Sequence, residues 1–266
     1  MEFIFLLPIF LPLLTSIFLF LNKKLFNELV TNFFTLNGAL LSFAVASYSF
    51  IALALSKFKA VNIELFQWIS NPDISIGFTL DGLSGIMLVL VTGLSFVIQL
   101  FSTSYMEKDD NHSNYFVYFN FFVFSMLLLV MSSNFLVMFF GWELVGLSSY
   151  LLISFWSEKP EAAKAGNKAF VINRVGDFGF LIGLMIILDT FNTFDFYEIL
   201  HNSTGVSENT ITAISLFLLL GAFGKSAQFP LFSWLPDAME GPTPASALIH
   251  AATMVTAGVF MLVRIS

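Results

Sequence analysis

The sequence has no cysteine and few charged residues. Asp, Glu, Lys and Arg make up 11% of its 266 residues, whereas they make up about a quarter of soluble globular proteins. Without cysteine, disulfides, thiolate metal sites and iron–sulfur ligation are excluded. Since there are only three histidines, no haem or metal centre is expected, and the chain is expected to carry no cofactor. It has no basic patch, so no nucleic-acid partner is expected, and it has no P-loop or dinucleotide fingerprint.

Long continuous apolar runs fill most of the chain. Hydrophobic residues make up 57% of it, and phenylalanine alone accounts for 35 residues. A helix needs about 20 apolar residues to cross a bilayer, whereas membrane barrels show alternating segments of about ten. The runs predict an all-α polytopic membrane protein of about eight transmembrane helices, near residues 3–21, 29–55, 81–106, 115–131, 135–156, 166–188, 211–239 and 242–264.

Two departures from regular helices are predicted. Pro230 and Pro236 fall within or near the seventh apolar run, where each removes a backbone hydrogen bond and clashes with the preceding turn. We therefore expect an interrupted seventh helix, whose freed carbonyls are satisfied by protein or by a watery cavity. Between the second and third helices, residues 56–80 contain short alternating stretches around a turn signal at 71–73, which indicates a small hairpin.

Five ionisable side chains lie within the predicted spans: Glu143, Arg174, Asp177, Lys225 and His250. A charge at the bilayer centre costs roughly 2.5–3.5 kcal/mol on insertion scales. Glu143 has no positive neighbour in sequence, so it must be protonated or find a partner on another helix. Lys225 is the obvious candidate, because the small residues beside it let another helix approach closely. The two form either a structural pair or a site that loads and releases a proton.

Three of these groups also have purely structural interpretations. Arg174 and Asp177 are three residues apart on one helix face, where they can form an ion pair. The face that carries His250 also contains small or hydroxylic residues, namely Ser246, Thr253 and Ala257. Such a stripe is suited to helix contact or to a few ordered waters. His250 is therefore either a hydrogen-bonded packing residue or a proton relay.

Five motifs follow one another along the chain, at residues 140–152, 173–177, 224–228, 236–244 and 247–259. Together they closely resemble the subunit 5 family of NADH dehydrogenase, the distal antiporter-like membrane subunit of respiratory complex I. The resemblance runs from the first span to the last residue. Individual motifs are shared with cation/proton antiporter subunits and membrane hydrogenases. The sequence at residues 239–242 resembles the mitochondrial form more closely.

The resemblance implies a role for each of four residues in a proton relay. Glu143 resembles the membrane glutamate that pairs with the lysine of the broken seventh helix, and Lys225 resembles that lysine. Asp177 resembles the acidic modulator on the sixth helix. His250 resembles the histidine that links toward a second half-channel. The family also implies a division into helices 1–3 (residues 1–110) and an antiporter-like repeat of helices 4–8 (residues 111–266).

The implied function is that of a proton-translocating subunit of NADH:ubiquinone oxidoreductase, which supplies part of a proton half-channel and performs no redox chemistry itself. A cation/proton antiporter subunit and a structural membrane-arm scaffold are the alternatives. The expected partners are lipid and other membrane-arm subunits, in the mitochondrial inner membrane. Family members continue with a second five-helix repeat. We therefore expect a separate chain to carry that half, in preference to a truncated record of one chain.

Overall fold

The computed structural model describes residues 2–70, 73–251 and 253–266. Within those ranges the chain is mainly helical, with one β-hairpin between the second and third long helices. Its elements are α1 (Leu7–Asn22), α2 (Glu28–Leu55), β1 (Val61–Ser70), β2 (Asp73–Leu80), α3 (Gly82–Tyr105), α4 (His112–Val130), α5 (Phe135–Ile153), α6 (Pro160–Phe191), α7 (Phe196–Asn202), α8 (Glu208–Lys225), α9 (Thr243–Ala251) and α10 (Met254–Arg264).

Seven helical segments of the described chain are long and apolar enough to cross a membrane. They are Phe3–Asn22, Glu28–Leu55, Gly82–Tyr105, His112–Val130, Phe135–Ile153, Pro160–Phe191 and Thr243–Arg264. The predicted seventh span corresponds to α8, and including it gives the predicted total of about eight. The all-α polytopic fold predicted from the sequence is therefore confirmed.

The seventh span is interrupted, as predicted. Its helix α8 ends at Lys225, and the chain continues through turns to a short 3-10 segment at Asp237–Glu240. The freed polar groups find protein partners. The indole N–H of Trp234 donates to the carbonyl of Gly224 (3.0 Å), and the hydroxyl of Ser226 donates to the carbonyl of Val255 (2.8 Å). The first bond satisfies a carbonyl at the broken end of α8, and the second ties that end to α10, as an interruption at membrane depth requires protein contacts.

The predicted hairpin is present, with β1 and β2 paired antiparallel. Asn71 and Pro72, which carry most of the predicted turn signal, lie outside the described residues. The hairpin contacts the short turn between α4 and α5, because the amide of Ser133 donates to the carbonyl of Gly77 (3.2 Å). The side chain of Asn134 donates to the carbonyl of Ser75 (2.8 Å) while capping the start of α5. These bonds fix where α5 enters the bundle.

Small residues bring two pairs of helices in the bundle close together. A Cβ atom added at Gly141 of α5 would lie 2.6 Å from the backbone nitrogen of Leu129 in α4. A Cβ atom at Gly176 of α6 would lie 3.1 Å from the Cα atom of Gly224 in α8. Close approach of this kind is typical of small residues at membrane helix interfaces. It leaves the end of α8 beside both α5 and α6.

Candidate functional site

Lys225 is a fully buried lysine at the end of α8. Its exposed fraction is 0%, and its Nζ atom has no hydrogen-bond partner among the described residues. The nearest carboxylate oxygen is Oδ1 of Asp177 on α6, 3.7 Å away. On the side of α5, the Nζ atom lies 5.8 Å from the ring centroid of Trp142. A Cβ atom at Gly146 would lie 2.7 Å from Nζ, so the absence of a side chain there lets the ammonium take its present position.

Asp177 is bonded to a residue that the sequence analysis did not select. The indole N–H of Trp142 donates to Oδ1 of Asp177 over 2.7 Å, and both residues are buried. A buried tryptophan usually needs an acceptor for its N–H. The presence of Trp142 in an apolar helix was therefore a usable signal, but it did not identify the acceptor.

Glu143 forms an ion pair with Arg174, which corrects two expectations. The Arg174–Asp177 pair expected within α6 is not formed, since the guanidinium bonds Glu143 on α5 instead. A direct Glu143–Lys225 ion pair is also absent from the described part of the chain. The physical reason is direction: Asp177 faces the buried interface with α8, whereas 42% of the Arg174 side chain is exposed on the outer surface.

Glu143 retains one free oxygen despite that ion pair. Its Oε1 atom is buried and has no hydrogen-bond partner among the described residues. Arg174 also lies over the ring of Phe170, with its Cζ atom 4.9 Å from the ring centroid. The fields of Glu143 and Asp177 both act on Lys225, as does that of Arg174. Four charged groups therefore form one cluster across α5, α6 and α8.

His250 lies apart from that cluster. It is partly buried, and neither ring nitrogen has a hydrogen-bond partner among the described residues. Its ring stacks on that of Trp234, with centroids 6.5 Å apart. The hydroxyls of Ser246 and Thr253 donate to backbone carbonyls at 3.3 and 2.5 Å. Both hydroxyls beside His250 are thus bonded to the backbone. A relay role for His250 stays a prediction.

A separate ion pair joins the ends of two spans that are distant in sequence. Arg264, at the end of α10, donates to Asp81, which caps the start of α3. Burial raises the pKa of Asp81, but the bonds from Arg264 and from the amide of Ser84 outweigh it and hold the pKa below its usual value. Within the described ranges, no three His, Asp or Glu side chains converge as a metal site would require.

A buried lysine at a broken helix, beside a carboxylate of a neighbouring span, defines a polytopic membrane protein with a charged site inside its helix bundle. The family model described as "NADH:quinone oxidoreductase/Mrp antiporter, TM" matches residues 132–266. A second, described as "NADH-Ubiquinone oxidoreductase (complex I), chain 5 N-terminus", matches residues 66–116. The chain therefore belongs to the NADH:quinone oxidoreductase/Mrp antiporter family, and the resemblance to subunit 5 is confirmed.

Individual relatives agree with that assignment. The chain is 46% identical over 259 residues to NADH-ubiquinone oxidoreductase chain 5 of Rhizopus stolonifer, covering 96% of this chain and 39% of the relative. It is 46% identical over 248 residues to NADH-quinone oxidoreductase subunit L of Neisseria meningitidis serogroup B, covering 87% and 37%. The chain thus spans about two fifths of the length of these relatives.

A solved structure shares the fold. The Mrp complex of Dietzia sp. DQ12-45-1b superposes with a TM-score of 0.83 at 26% identity, over 97% of this chain and 28% of that one. The superposition covers nearly every helix of the present chain. It supports an antiporter-like arrangement of the helices around the charged cluster.

Proposed function

We propose that this chain supplies part of a proton half-channel in a proton-translocating NADH:quinone oxidoreductase. One observation carries the proposal: Lys225 is fully buried at a broken helix, without a hydrogen-bond partner among the described residues and 3.7 Å from Asp177. Burying a charge without full pairing is costly. A residue in that position changes its protonation state more readily than a solvated lysine does.

Each charged group has a distinct part in the proposed proton movement. Nζ of Lys225 holds the proton, and Asp177 stabilises the resulting ammonium from 3.7 Å. Glu143 is held at the outer surface by Arg174 and keeps one oxygen free. When Glu143 leaves Arg174 and approaches Lys225, the ammonium is favoured and a proton is loaded. When Glu143 returns to Arg174, that support is withdrawn and the proton is released.

The test is Lys225→Met in the assembled complex, studied in sealed membrane vesicles. Methionine keeps the length of the side chain but cannot carry a proton. We expect NADH oxidation in the presence of a protonophore to continue, while the number of protons pumped per NADH falls. Lys164→Met is the matched control, because Lys164 is exposed near the start of α6. Unchanged pumping in Lys225→Met would refute the proton-relay role and favour the interpretation as a structural scaffold subunit.

A cation/proton antiporter is the second candidate function. The family description favours it, because that description names the Mrp antiporter, and a solved Mrp complex shares the fold. The two candidates differ in the ion they require. Transport in reconstituted vesicles that proceeds with protons alone supports the oxidoreductase subunit. Transport that requires sodium supports the antiporter.

The cellular setting is part of the same proposal. The fungal relative is named for ubiquinone, and the bacterial relative for quinones in general. We place the chain in the membrane arm of complex I, in the mitochondrial inner membrane, beside other membrane-arm subunits. Affinity purification from mitochondrial membranes tests this placement, because those subunits should co-purify. A separate chain for the remaining length of the relatives, and the division at residue 110, stay predictions.

A further inference from the structure

One oxygen atom of Asp177 faces two possible donors. Oδ1 accepts the indole N–H of Trp142 over 2.7 Å and lies 3.7 Å from Nζ of Lys225. The second distance is within the range of an ion pair but too long for a hydrogen bond. Trp142 therefore takes one acceptor position of the carboxylate oxygen that lies nearest to Lys225. Since the carboxylate is shared in this way, the ammonium is only partly stabilised.

The position of Trp142 is fixed by its surroundings. Its ring stacks on Phe180 of α6, with centroids 5.0 Å apart and an interplanar angle of 16°. The exposed fraction of Trp142 is 0%. One turn along α5, on the same helix face, the backbone at Gly146 also lies close to Nζ, because a Cβ atom added there would be 2.7 Å from it. Lys225 is thus confined between a fixed indole, a helix backbone and the carboxylate.

We propose that Trp142 is a positioning residue that weakens the Asp177–Lys225 contact and so keeps the proton on Lys225 releasable. The inference rests on the proposed proton translocation and goes beyond it by naming what sets the strength of the central contact. Hydrogen bonds between ionised partners are about twice as strong as neutral ones. If the indole no longer bonded Oδ1, the Nζ atom of Lys225 would need to move by only about 1 Å to form such a bond. The proton would then be held too firmly.

The other charges around Lys225 are the same with or without the indole. Asp177 of α6 is the carboxylate nearest to it, and the charges of Glu143 on α5 and Arg174 on α6 also act on it. Helix α10, which also packs against α8, carries Arg264 as its one charged residue, and Arg264 is bonded to Asp81. Trp142→Phe keeps an aromatic ring on the side where Nζ lies 5.8 Å from the Trp142 ring centroid, so the variant alters the field at Lys225 mainly by removing the bond to Asp177.

The test is Trp142→Phe in the assembled complex, in sealed vesicles, with protons pumped per NADH measured as a function of pH. Phenylalanine keeps an aromatic ring but has no N–H. The alkaline limb of the profile reports loss of the proton from an essential acid. We expect this limb to move up by about one pH unit, a tenfold change in proton binding. An unmoved limb overturns the proposal.

Trp156→Phe is the matched control. The indole of Trp156 also donates to a carboxylate, Oδ2 of Asp109, over 2.8 Å, but outside the charged cluster. The control should pump with the wild-type profile. If both tryptophan variants shift the limb equally, the effect does not come from the bond to Asp177, and the proposal fails.

A double-mutant cycle separates positioning from packing. If Trp142 acts through Asp177, then Trp142→Phe combined with Asp177→Asn has the profile of Asp177→Asn alone. Independent, additive shifts overturn the proposal. If Trp142→Phe fails to assemble, Phe180→Leu is the second variant, because it loosens the indole while keeping its N–H. A smaller upward shift of the alkaline limb is expected. An unmoved limb in this variant also overturns the proposal. Pumping retained in Lys225→Met would instead refute the proposed function itself.

Discussion

Glu143 on α5 and Arg174 on α6 form an ion pair at the outer surface of the helix bundle. Val171 and Phe178, on the same side of α6, are exposed at 60% and 66%. The pair therefore lies where apolar side chains face outward, and not in the interior with Lys225. This arrangement gives Glu143 a resting partner that is distinct from the lysine, so its approach to Lys225 requires that the pair be broken.

Replacing Arg174 by glutamine removes that resting partner. We expect Arg174→Gln to leave Glu143 free to stay near Lys225, which keeps the proton bound and lowers the number of protons pumped per NADH. An ion pair with a partly exposed guanidinium contributes about 1 kcal/mol at most. Its loss therefore changes the ratio of the two positions of Glu143 by a factor of about five at most. Proton uptake by vesicles during NADH oxidation measures it.

The control for Arg174 is Lys168→Gln. Lys168 lies earlier on α6 and makes an exposed ion pair with Asp237 over 2.7 Å. Its loss should leave the pumping ratio as in wild type. Equal pumping by Arg174→Gln and wild type would contradict a role for the outer pair.

The glycine beside the lysine offers a test of the space around Nζ. In Gly146→Ala, the new Cβ atom would lie 2.7 Å from Nζ of Lys225, so the flexible end of the lysine must move. We expect little loss of thermal stability, because a side-chain tip can give way, but a clear loss of pumping. Gly205→Ala is the control, since nothing lies within 4 Å of its added Cβ atom. Wild-type pumping in Gly146→Ala would show that the position of Nζ does not matter.

The sequence predicted the helices better than it predicted the ion pairs. Apolar runs and Pro230 were sufficient to place the spans and the interruption, because both depend on local chain chemistry. The predicted partner of Glu143, Lys225, was wrong, because the actual pairing depends on the direction in which Arg174 points from α6. Side-chain direction across a bundle follows from packing of distant segments. The bond from Trp142 to Asp177 was missed for the same reason.

Gly141 should be needed for stability and not for proton movement. Its added Cβ atom would lie 2.6 Å from the backbone nitrogen and 2.7 Å from the Cα atom of Leu129. Backbone atoms cannot move aside as a side-chain tip can, so Gly141→Ala should push α5 away from α4. Overpacking of this kind typically costs about 1–3 kcal/mol. The thermal unfolding temperature in detergent should fall, and an unchanged temperature would contradict the close helix contact.

The ion pair between Asp81 and Arg264 should make stability depend on pH. Because the pKa of Asp81 is held below its usual value, the folded state binds the proton less readily than the unfolded state. The stabilisation is therefore complete above the unfolded pKa of about 3.9, and it is lost as the pH falls through the lower folded value.

Asp81→Asn removes the charge while keeping the shape of the side chain. The variant should lose about 1.5–3 kcal/mol at pH 6, the range for hydrogen bonds to a charged group, and less as the pH falls toward 2, because wild-type Asp81 then takes up a proton itself. Unfolding in detergent, followed by circular dichroism across that range, measures the difference. Glu107→Gln, at an exposed carboxylate, is the control and should parallel wild type. A loss in Asp81→Asn that is equally large at both pH values would show that the change disturbs the helix cap and not the ion pair.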